Sequence, residues 1–151
     1  MAGAAGGAAG AGSLTLTNCA FAGNYSIGTM AGSINYPGSA LCIGGSMAAR
    51  IVDCQFLSNK SANPTNIDDI YVNSTGSVTL WKTVIGKGSR IGVDKLNTGP
   101  LAMTNCLIFG QPDHGIQVAT GIVSIGSTTI AGNNGLGVTN SAGTVTLKNC
   151  I

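Results

Sequence analysis

Leu14-Thr-Leu-Thr-Asn-Cys-Ala-Phe-Ala-Gly-Asn24 is the pattern on which the chain is built, because degraded copies of it recur to the C-terminus. The sixth residue of successive copies falls at Cys19, Cys54, Thr83, Cys106, Thr128 and Cys150, with separations of 35, 29, 23, 22 and 22 residues. A repeat that settles at 22 residues is typical of a solenoid, in which each turn of chain stacks on the previous one.

Each copy contains a break in its apolar alternation, which predicts a corner. Leu14 and Leu16 are followed by the apolar pair Cys19 and Phe21, so one extra residue is inserted at Asn18. We expect the chain to turn there, because Asn tolerates the left-handed backbone that such a corner needs. The residues at the same position in the later copies are Asp53, Lys82, Asn105, Ser127 and Asn149.

A further alternating strand precedes each copy. It is clearest at Ile70-Tyr-Val72, Ile91-Gly-Val93, Ile116-Gln-Val118 and Leu136-Gly-Val138, with Leu41-Cys-Ile43 as the earliest member. Three short strands that turn and rejoin the same position one repeat later predict an all-β parallel β-helix of about five rungs. We place this domain at residues 13–151, as a segment of a longer solenoid, and residues 1–12 as a Gly/Ala-rich linker or tail.

The strands and the corner asparagines resemble the right-handed parallel β-helices of the pectin-lyase-like class. The repeats are similar to those of bacterial surface proteins of the passenger type, including the polymorphic outer membrane proteins. Hallmarks of those repeats are Phe-x-x-Asn and a Gly-Gly-Ala-Ile-like tetrapeptide. Phe21-Ala-Gly-Asn24 and Phe56-Leu-Ser-Asn59 match the first, and Gly38-Ser-Ala-Leu41 is a loose match to the second. The resemblance implies an extracellular or cell-surface location.

Composition narrows the function classes. Only 8% of the residues are charged, Glu is absent, and the formal charge of +2 comes from scattered Lys and Arg. Nucleic-acid binding normally needs a clustered basic patch, so we expect no nucleic-acid partner. No apolar run is long enough for a membrane-spanning helix, so we expect no membrane-spanning segment.

Two long gaps between repeats predict where a ligand binds. Residues 22–40 and 57–69 are expected to be adjacent loops that carry Tyr25, Tyr36, Asn63, Asn66, Asp68 and Asp69. Long loops on a rigid scaffold commonly carry function, although a loop that only shields the stack remains an alternative. Trp81 is expected to point outward from the second strand, as a platform for sugar stacking or as a packing site.

The outward face of the first strand argues against catalysis. Its predicted central residues are Cys42, Tyr71, Gly92, Gln117 and Gly137, without a carboxylate. Asp69 and Arg90 are expected to form an exposed ion pair. Asp69 and Asp94 are expected to lie too far apart for an inverting glycosidase pair, which needs about 6.5–9.5 Å. His114, the one histidine, is expected to face solvent or cap a turn. We therefore assign no catalytic residue.

The five cysteines are predicted to be buried free thiols, because side chains stacked at about 4.8 Å are too far apart for a relaxed disulfide. Their spacing does not match a zinc site. We predict no metal and no cofactor, with calcium at Asn66, Asp68 and Asp69 as an open alternative.

These observations favour a non-enzymatic surface scaffold of the adhesin type that binds protein or carbohydrate through the two loops. The alternative is a polysaccharide lyase or glycoside hydrolase of pectin-lyase-like fold. An end-to-end contact through an uncapped terminal rung is also expected, because an open parallel edge offers unpaired backbone groups.

Overall fold

A computed structural model describes residues 6–8, 10–26, 38–61 and 68–151. These residues form an all-β structure without a helix. In chain order the strands are β1 Gly6–Ala8, β2 Ser13–Thr17, β3 Ala20–Ala22, β4 Tyr25–Ser26, β5 Gly38–Gly45, β6 Ala48–Val52, β7 Gln55–Leu57, β8 Lys60–Ser61, β9 Asp68–Ser74, β10 Val78–Trp81, β11 Val84–Gly86, β12 Val93–Lys95, β13 Leu101–Thr104, β14 Leu107–Phe109, β15 Ile116–Val118, β16 Ile122–Gly126, β17 Thr129–Ala131, β18 Val138–Asn140 and β19 Thr144–Lys148.

The strands form three parallel sheets, and successive strands along the chain belong to each of these sheets in turn. Sheet A has the order β1-β5-β9-β12-β15-β18, sheet B the order β2-β6-β10-β13-β16-β19, and sheet C the order β3-β7-β11-β14-β17. A small fourth sheet joins β4 and β8. Each repeat therefore adds one strand to each large sheet, an arrangement consistent with a β-solenoid.

The predicted corner between sheets B and C is confirmed. Asn18, Asp53, Lys82, Asn105, Ser127 and Asn149 all have positive φ, between 47° and 55°. Four of the six are Asn or Asp, the residues that adopt this conformation at least cost after Gly. The inserted residue reverses the alternation, so apolar side chains on both sides of the corner point into one core.

Columns of aliphatic side chains in register form that core. In sheet B, Ile51, Leu80 and Met103 are paired on consecutive strands and are fully buried. Burial of each such side chain contributes about 1.5–3 kcal/mol to folding. In sheet C, the rings of Phe21 and Phe56 stack with centroids 4.8 Å apart. Leu147 aligns with the buried Ile125 but is 54% exposed, because its strand β19 is an edge of sheet B.

The register of sheet A differs from the sequence prediction at two strands. The fourth and last strands are Val93–Lys95 and Val138–Asn140, each two residues later than predicted. Asp94 therefore lies between Tyr71 and Gln117 on neighbouring strands, in the position predicted for Gly92. A shift of two residues keeps every side chain on its own face, so apolar alternation alone does not distinguish the two registers. The prediction that this row contains no carboxylate was wrong.

The same shift places a lysine in the core-facing row of sheet A. Lys95 lies in register between Val72 and Val118 and is fully buried. Its ammonium group donates to the backbone carbonyl of Asn97. Burial lowers the pKa of Lys95, because a charged amine loses solvation there.

Several residues predicted in a linker or in loops lie in strands. Gly6–Ala8, within the predicted linker, pairs with β5, because backbone hydrogen bonds in a parallel ladder do not require large side chains. The predicted loops 22–40 and 57–69 include β4, β8, the start of β5 and the start of β9. Tyr36, Asn63 and Asn66 lie outside the described residues.

Candidate functional site

A ladder of polar side chains follows the C-terminal end of sheet C from one repeat to the next. Asn24 Nδ2 donates to Asn59 Oδ1 at 2.9 Å, and the Gln111 backbone N–H donates to Asn133 Oδ1 at 3.0 Å. We call Asn24, Asn59, Gln111 and Asn133 the amide ladder. Gly88 stands at the intermediate position, where its N–H donates to Gln111 Oε1 but no side chain is present.

Asp69 completes the amide ladder at this gap. Its Oδ2 accepts from Gln111 Nε2 at 2.8 Å, and its Oδ1 accepts from Asn59 Nδ2 at 3.5 Å. The side chain is fully buried, and burial raises the pKa of Asp69 to about 7, although both amide donors act in the opposite direction. The predicted exposed Asp69–Arg90 ion pair was therefore wrong, because the carboxyl group points into the ladder.

Asp68 and Asp94 form a carboxyl pair across strands β9 and β12. Burial and the nearby charge of Asp94 raise the pKa of Asp68 to about 8. Burial also raises the pKa of Asp94, while its interaction with the Asp68 carboxyl group lowers it, so the titrations of the two groups are linked. Sequence reasoning missed this pair, because the shifted register had placed Asp94 too far along the strand.

Arg90 links the carboxyl pair to the turn that contains His114. Arg90 Nε lies 3.8 Å from Asp68 Oδ1 and 3.7 Å from Asp113 Oδ2. Asp113 Oδ1 lies 3.4 Å from His114 Nε2, and His114 Nδ1 accepts the Leu136 backbone N–H at 2.9 Å. The imidazole therefore caps a neighbouring turn, as predicted. We call Asp68, Arg90, Asp94, Asp113 and His114 the acidic edge.

The acidic edge contains the groups of a general acid and a general base, but its central carboxyl is enclosed. The side chain of Asp68 is 1% exposed, against 24% for Arg90, 25% for His114 and 41% for Asp113. A general acid must come within hydrogen-bond distance of the reacting atom. The accessible part of the edge is thus the Arg90–Asp113–His114 side, away from the buried Asp68–Asp94 pair.

Trp81 lies on the outward face of sheet B, as predicted. It is half-buried at the end of β10, in register with Val52 and Thr104 on the neighbouring strands. The Lys82 ammonium lies 4.4 Å from the centroid of the Trp81 ring. Arg50 is exposed on the adjacent strand, in register with Thr79.

Two rows of outward side chains surround this ring, and we call them the Trp81 face. Neither row contains an acidic residue. The rows are Thr15, Arg50, Thr79, Ala102, Ser124, Thr146 and Thr17, Val52, Trp81, Thr104, Gly126, Lys148.

The predicted ligand-binding residues do not converge on one place. Asp69 points into the amide ladder, Asp68 meets Asp94, and Trp81 lies on another sheet. Tyr25 is 51% exposed on β4, where it pairs with Lys60. Arg50 and Lys82 were not selected as site residues. The sequence signal that could have identified them was their position beside Trp81. Arg50 lies on the adjacent strand, and Lys82 is the residue that follows Trp81.

The five cysteines are free, as predicted; Cys42, Cys54 and Cys106 are also buried as predicted, whereas Cys19 and Cys150 are only half-buried. Burial raises the pKa of Cys42 to about 11 and also raises the pKa values of Cys54 and Cys106, so these thiols stay protonated. Among the described residues, no group of three His, Cys, Asp or Glu side chains could hold a metal ion.

Comparison of the chain with protein-family models, with curated proteins and with solved structures found no match. Over the described ranges, no helix is long and apolar enough to cross a membrane. The functional proposal therefore rests on the geometry of the chain itself.

Proposed function

We propose that the chain is a non-enzymatic scaffold that binds carbohydrate through the Trp81 face. In this proposal it is a right-handed parallel β-helix of about five rungs, similar to the pectin-lyase-like class and to surface passenger repeats. Its location is extracellular or on the cell surface. The observation that carries the proposal is the half-buried indole of Trp81 on an outward sheet face without acidic residues.

The chemistry of this face suits a sugar. An indole offers a flat apolar surface against which the C–H groups of a pyranose ring can stack, while neighbouring hydroxyl groups form hydrogen bonds with sugar hydroxyls. Thr104 is exposed and in register with Trp81, and Thr79 lies two residues before it on the same strand. A parallel sheet holds these groups on a rigid backbone, so little conformational entropy is lost on binding.

Internal partners occupy most of the acidic groups. Asp69 belongs to the amide ladder, and Asp68 and Asp94 are buried carboxyl groups that influence each other's pKa. Because these carboxyl groups contact other parts of the chain, they support a structural role for the acidic residues, and this favours a non-enzymatic function.

The test is affinity electrophoresis in gels that contain defined polysaccharides, with the purified chain and with Trp81→Ala. We expect the mobility of the chain to fall in at least one gel and the retardation to be lost in Trp81→Ala. Phe109→Ala is the matched control, because Phe109 is a partly exposed ring under Lys87 on sheet C. Equal retardation of Trp81→Ala and the parent chain would contradict the proposal.

Residues 22–40 and 57–69 remain a proposed second region for contact with carbohydrate or protein. Tyr36, Asn63 and Asn66 belong to this part of the proposal. Replacement of residues 27–37 by a short Gly/Ser linker tests it, and unchanged binding of every ligand would remove the region from the account.

The second candidate function is a polysaccharide hydrolase or lyase that uses the acidic edge. The specific observation in its favour is the buried Asp68–Asp94 pair of carboxyl groups with raised pKa values beside Arg90. Within the described residues, Asp94 Oδ1 is buried without a hydrogen-bond partner. Release of reducing ends or of unsaturated sugars from acidic polysaccharides would support this candidate, if the isosteric Asp68→Asn and Asp94→Asn variants lose the release. No turnover by the parent chain would exclude it.

A further inference from the structure

The basic side chains around Trp81 indicate which class of carbohydrate the Trp81 face would bind. Arg50, Lys82 and Lys148 are exposed on or beside the Trp81 face, and within the described part of the chain none of them is in an ion pair. The remaining basic residues are Lys60, Lys87, Arg90 and Lys95. Of these, Lys60 binds a carbonyl, Arg90 lies between two aspartates, and Lys95 is buried.

The acidic residues lie elsewhere with one exception. Asp68, Asp69 and Asp94 are buried and Asp113 lies beside Arg90. Asp53 occupies the corner position one strand before Lys82 and is the acid closest in register to the Trp81 face. The three cations against this one acid leave the surroundings of Trp81 with a net positive charge.

The backbone conformation of Lys82 at the corner is energetically unfavourable for a lysine. Its φ is 50°, in the left-handed region that disfavours residues with long side chains. Four of the five other residues at this corner position are Asn or Asp. The turn itself does not require a lysine, and the lysine present has its ammonium against the indole ring.

From this arrangement we propose that the Trp81 face binds an anionic polysaccharide, with the indole stacked on a sugar ring and with Arg50 and Lys82 bound to its carboxylate or sulfate groups. The inference rests on the proposed carbohydrate-binding function and adds the charge of the ligand. Arginine suits this role, because its planar guanidinium can donate two parallel hydrogen bonds to one oxyanion group.

The experiment compares dextran sulfate with neutral dextran of the same length, and alginate as the carboxylated polymer, by titration calorimetry at low and at physiological salt. We expect both anionic polymers to bind at least about tenfold more tightly than dextran, with affinity that falls as salt rises. The ratio of alginate to dextran sulfate affinity identifies which anion is preferred.

Paired charge variants locate the effect. Arg50→Gln with Lys82→Gln is expected to weaken dextran sulfate binding by about tenfold, because each exposed ionic contact contributes up to about 1 kcal/mol. Lys87→Glu lowers the net charge by the same two units on sheet C, outside both proposed contact regions, and is expected to leave the affinity unchanged. Equal thermal unfolding midpoints of the double variant and Lys87→Glu confirm that both are folded.

Four outcomes would overturn the inference. Equal, Trp81-dependent binding of dextran and dextran sulfate would leave carbohydrate binding intact and remove only the charge preference. Failure to bind any of the polymers would remove both proposals. An equal loss in Arg50→Gln with Lys82→Gln and in Lys87→Glu would indicate diffuse attraction rather than a site. Tighter binding of a single-stranded oligothymidylate through the same residues would replace the sugar by a nucleic acid, since stacked aromatic and basic residues also suit that ligand.

Discussion

The carboxyl group of Asp69 occupies the place in the amide ladder that Gly88 leaves empty. A methyl group at Gly88 would collide with Asp69 Oδ2. In register with Asp69, the next strands of sheet A are preceded by Gly92, Gly115 and Gly137. The one repeat whose ladder position is a glycine, Gly88, therefore has an aspartate, Asp69, at the facing position of sheet A. The three repeats that follow have glycine at that position of sheet A.

Gly88→Ala is expected to lower the free energy of unfolding by roughly 1–3 kcal/mol, because the new Cβ and the Asp69 carboxyl group cannot share one space. Urea unfolding measures the loss. The double variant Gly88→Asn with Asp69→Gly gives this repeat an amide side chain in the ladder and a glycine in sheet A, as in the repeats that follow. It should recover most of the lost stability. A double variant no more stable than Gly88→Ala would show that Asp69 is not the ladder substitute.

Stability should fall as the pH rises from about 5 to 9. Burial raises the pKa of Asp69 to about 7, and burial with the charge of Asp94 raises the pKa of Asp68 to about 8, from an ordinary 3.8. The folded state therefore binds protons more tightly than the unfolded state, and this stability is lost as pH rises through the folded pKa values. Each group contributes a slope of up to about 1.4 kcal/mol per pH unit.

Urea unfolding at pH 5.5, 7.0 and 8.5 checks this pH dependence. Asp69→Asn keeps a polar group in the ladder and Asp68→Asn keeps the size of the side chain, and neither amide titrates, so each variant should flatten the curve. A parent chain whose stability rises over this range would refute the assignment of protonated carboxyl groups.

The cysteines at the corner should be replaceable by threonine but not by valine. Cys106 Sγ donates to the Thr104 carbonyl at 3.4 Å, and at the same position Thr83 and Thr128 donate to carbonyls two residues earlier at 3.2 and 2.9 Å. Cys106→Thr is expected to stay within about 0.5 kcal/mol of the parent. Cys106→Val, of the same shape as Thr but without the donor, should lose about 1 kcal/mol. Thermal unfolding that ranks valine above threonine would contradict this.

Lys82→Asn should make the chain more stable and a weaker binder. Asparagine adopts the left-handed corner at lower cost, so a gain of about 0.5–1 kcal/mol is expected. The loss of the ammonium beside Trp81 should at the same time reduce affinity for dextran sulfate. Asn105→Ala at the corresponding corner is the control, with lower stability and unchanged affinity. A Lys82→Asn variant that gains stability without losing affinity would remove Lys82 from the site.

The corner and the core were predictable because each has a local signal. One inserted residue between two apolar pairs marks Asn18, and the same break recurs at Asp53 and Asn105 with φ near 50° in every copy. Alternation then determines which side chains face the core, and Ile51 and Leu80, which align with the apolar Leu16 of the first copy, are fully buried.

The register of sheet A was not predictable from alternation. The position of Asp94 in the acidic edge depends on that register. Ile91 and Val93 are both apolar and both buried, so either could begin the strand. In the structure, eight residues separate the last core residue of sheet C from the first of sheet A, from Ile85 to Val93 and from Ile108 to Ile116. A uniform spacing of eight would have selected Val93 and shown Asp94 in the outward row.

The partners of adjacent acids were also beyond sequence reasoning. Asp68 and Asp69 are neighbours in the chain, yet one meets Asp94 and the other enters the ladder. The strand pairing is irregular between Gly38 and Leu41, opposite these two residues. An irregularity of this kind changes where consecutive side chains point, and no composition or period marks it in advance.

Fluorescence of Trp81 tests the central claim most directly, because it is the one tryptophan in the chain and no other residue contributes an indole signal. Titration with dextran sulfate oligosaccharides should give a saturable shift in the emission spectrum. Its midpoint should agree with the calorimetric affinity and move to higher concentration in Arg50→Gln with Lys82→Gln. Calorimetric binding with an unchanged Trp81 spectrum would place the ligand elsewhere and contradict the Trp81 face as the binding site.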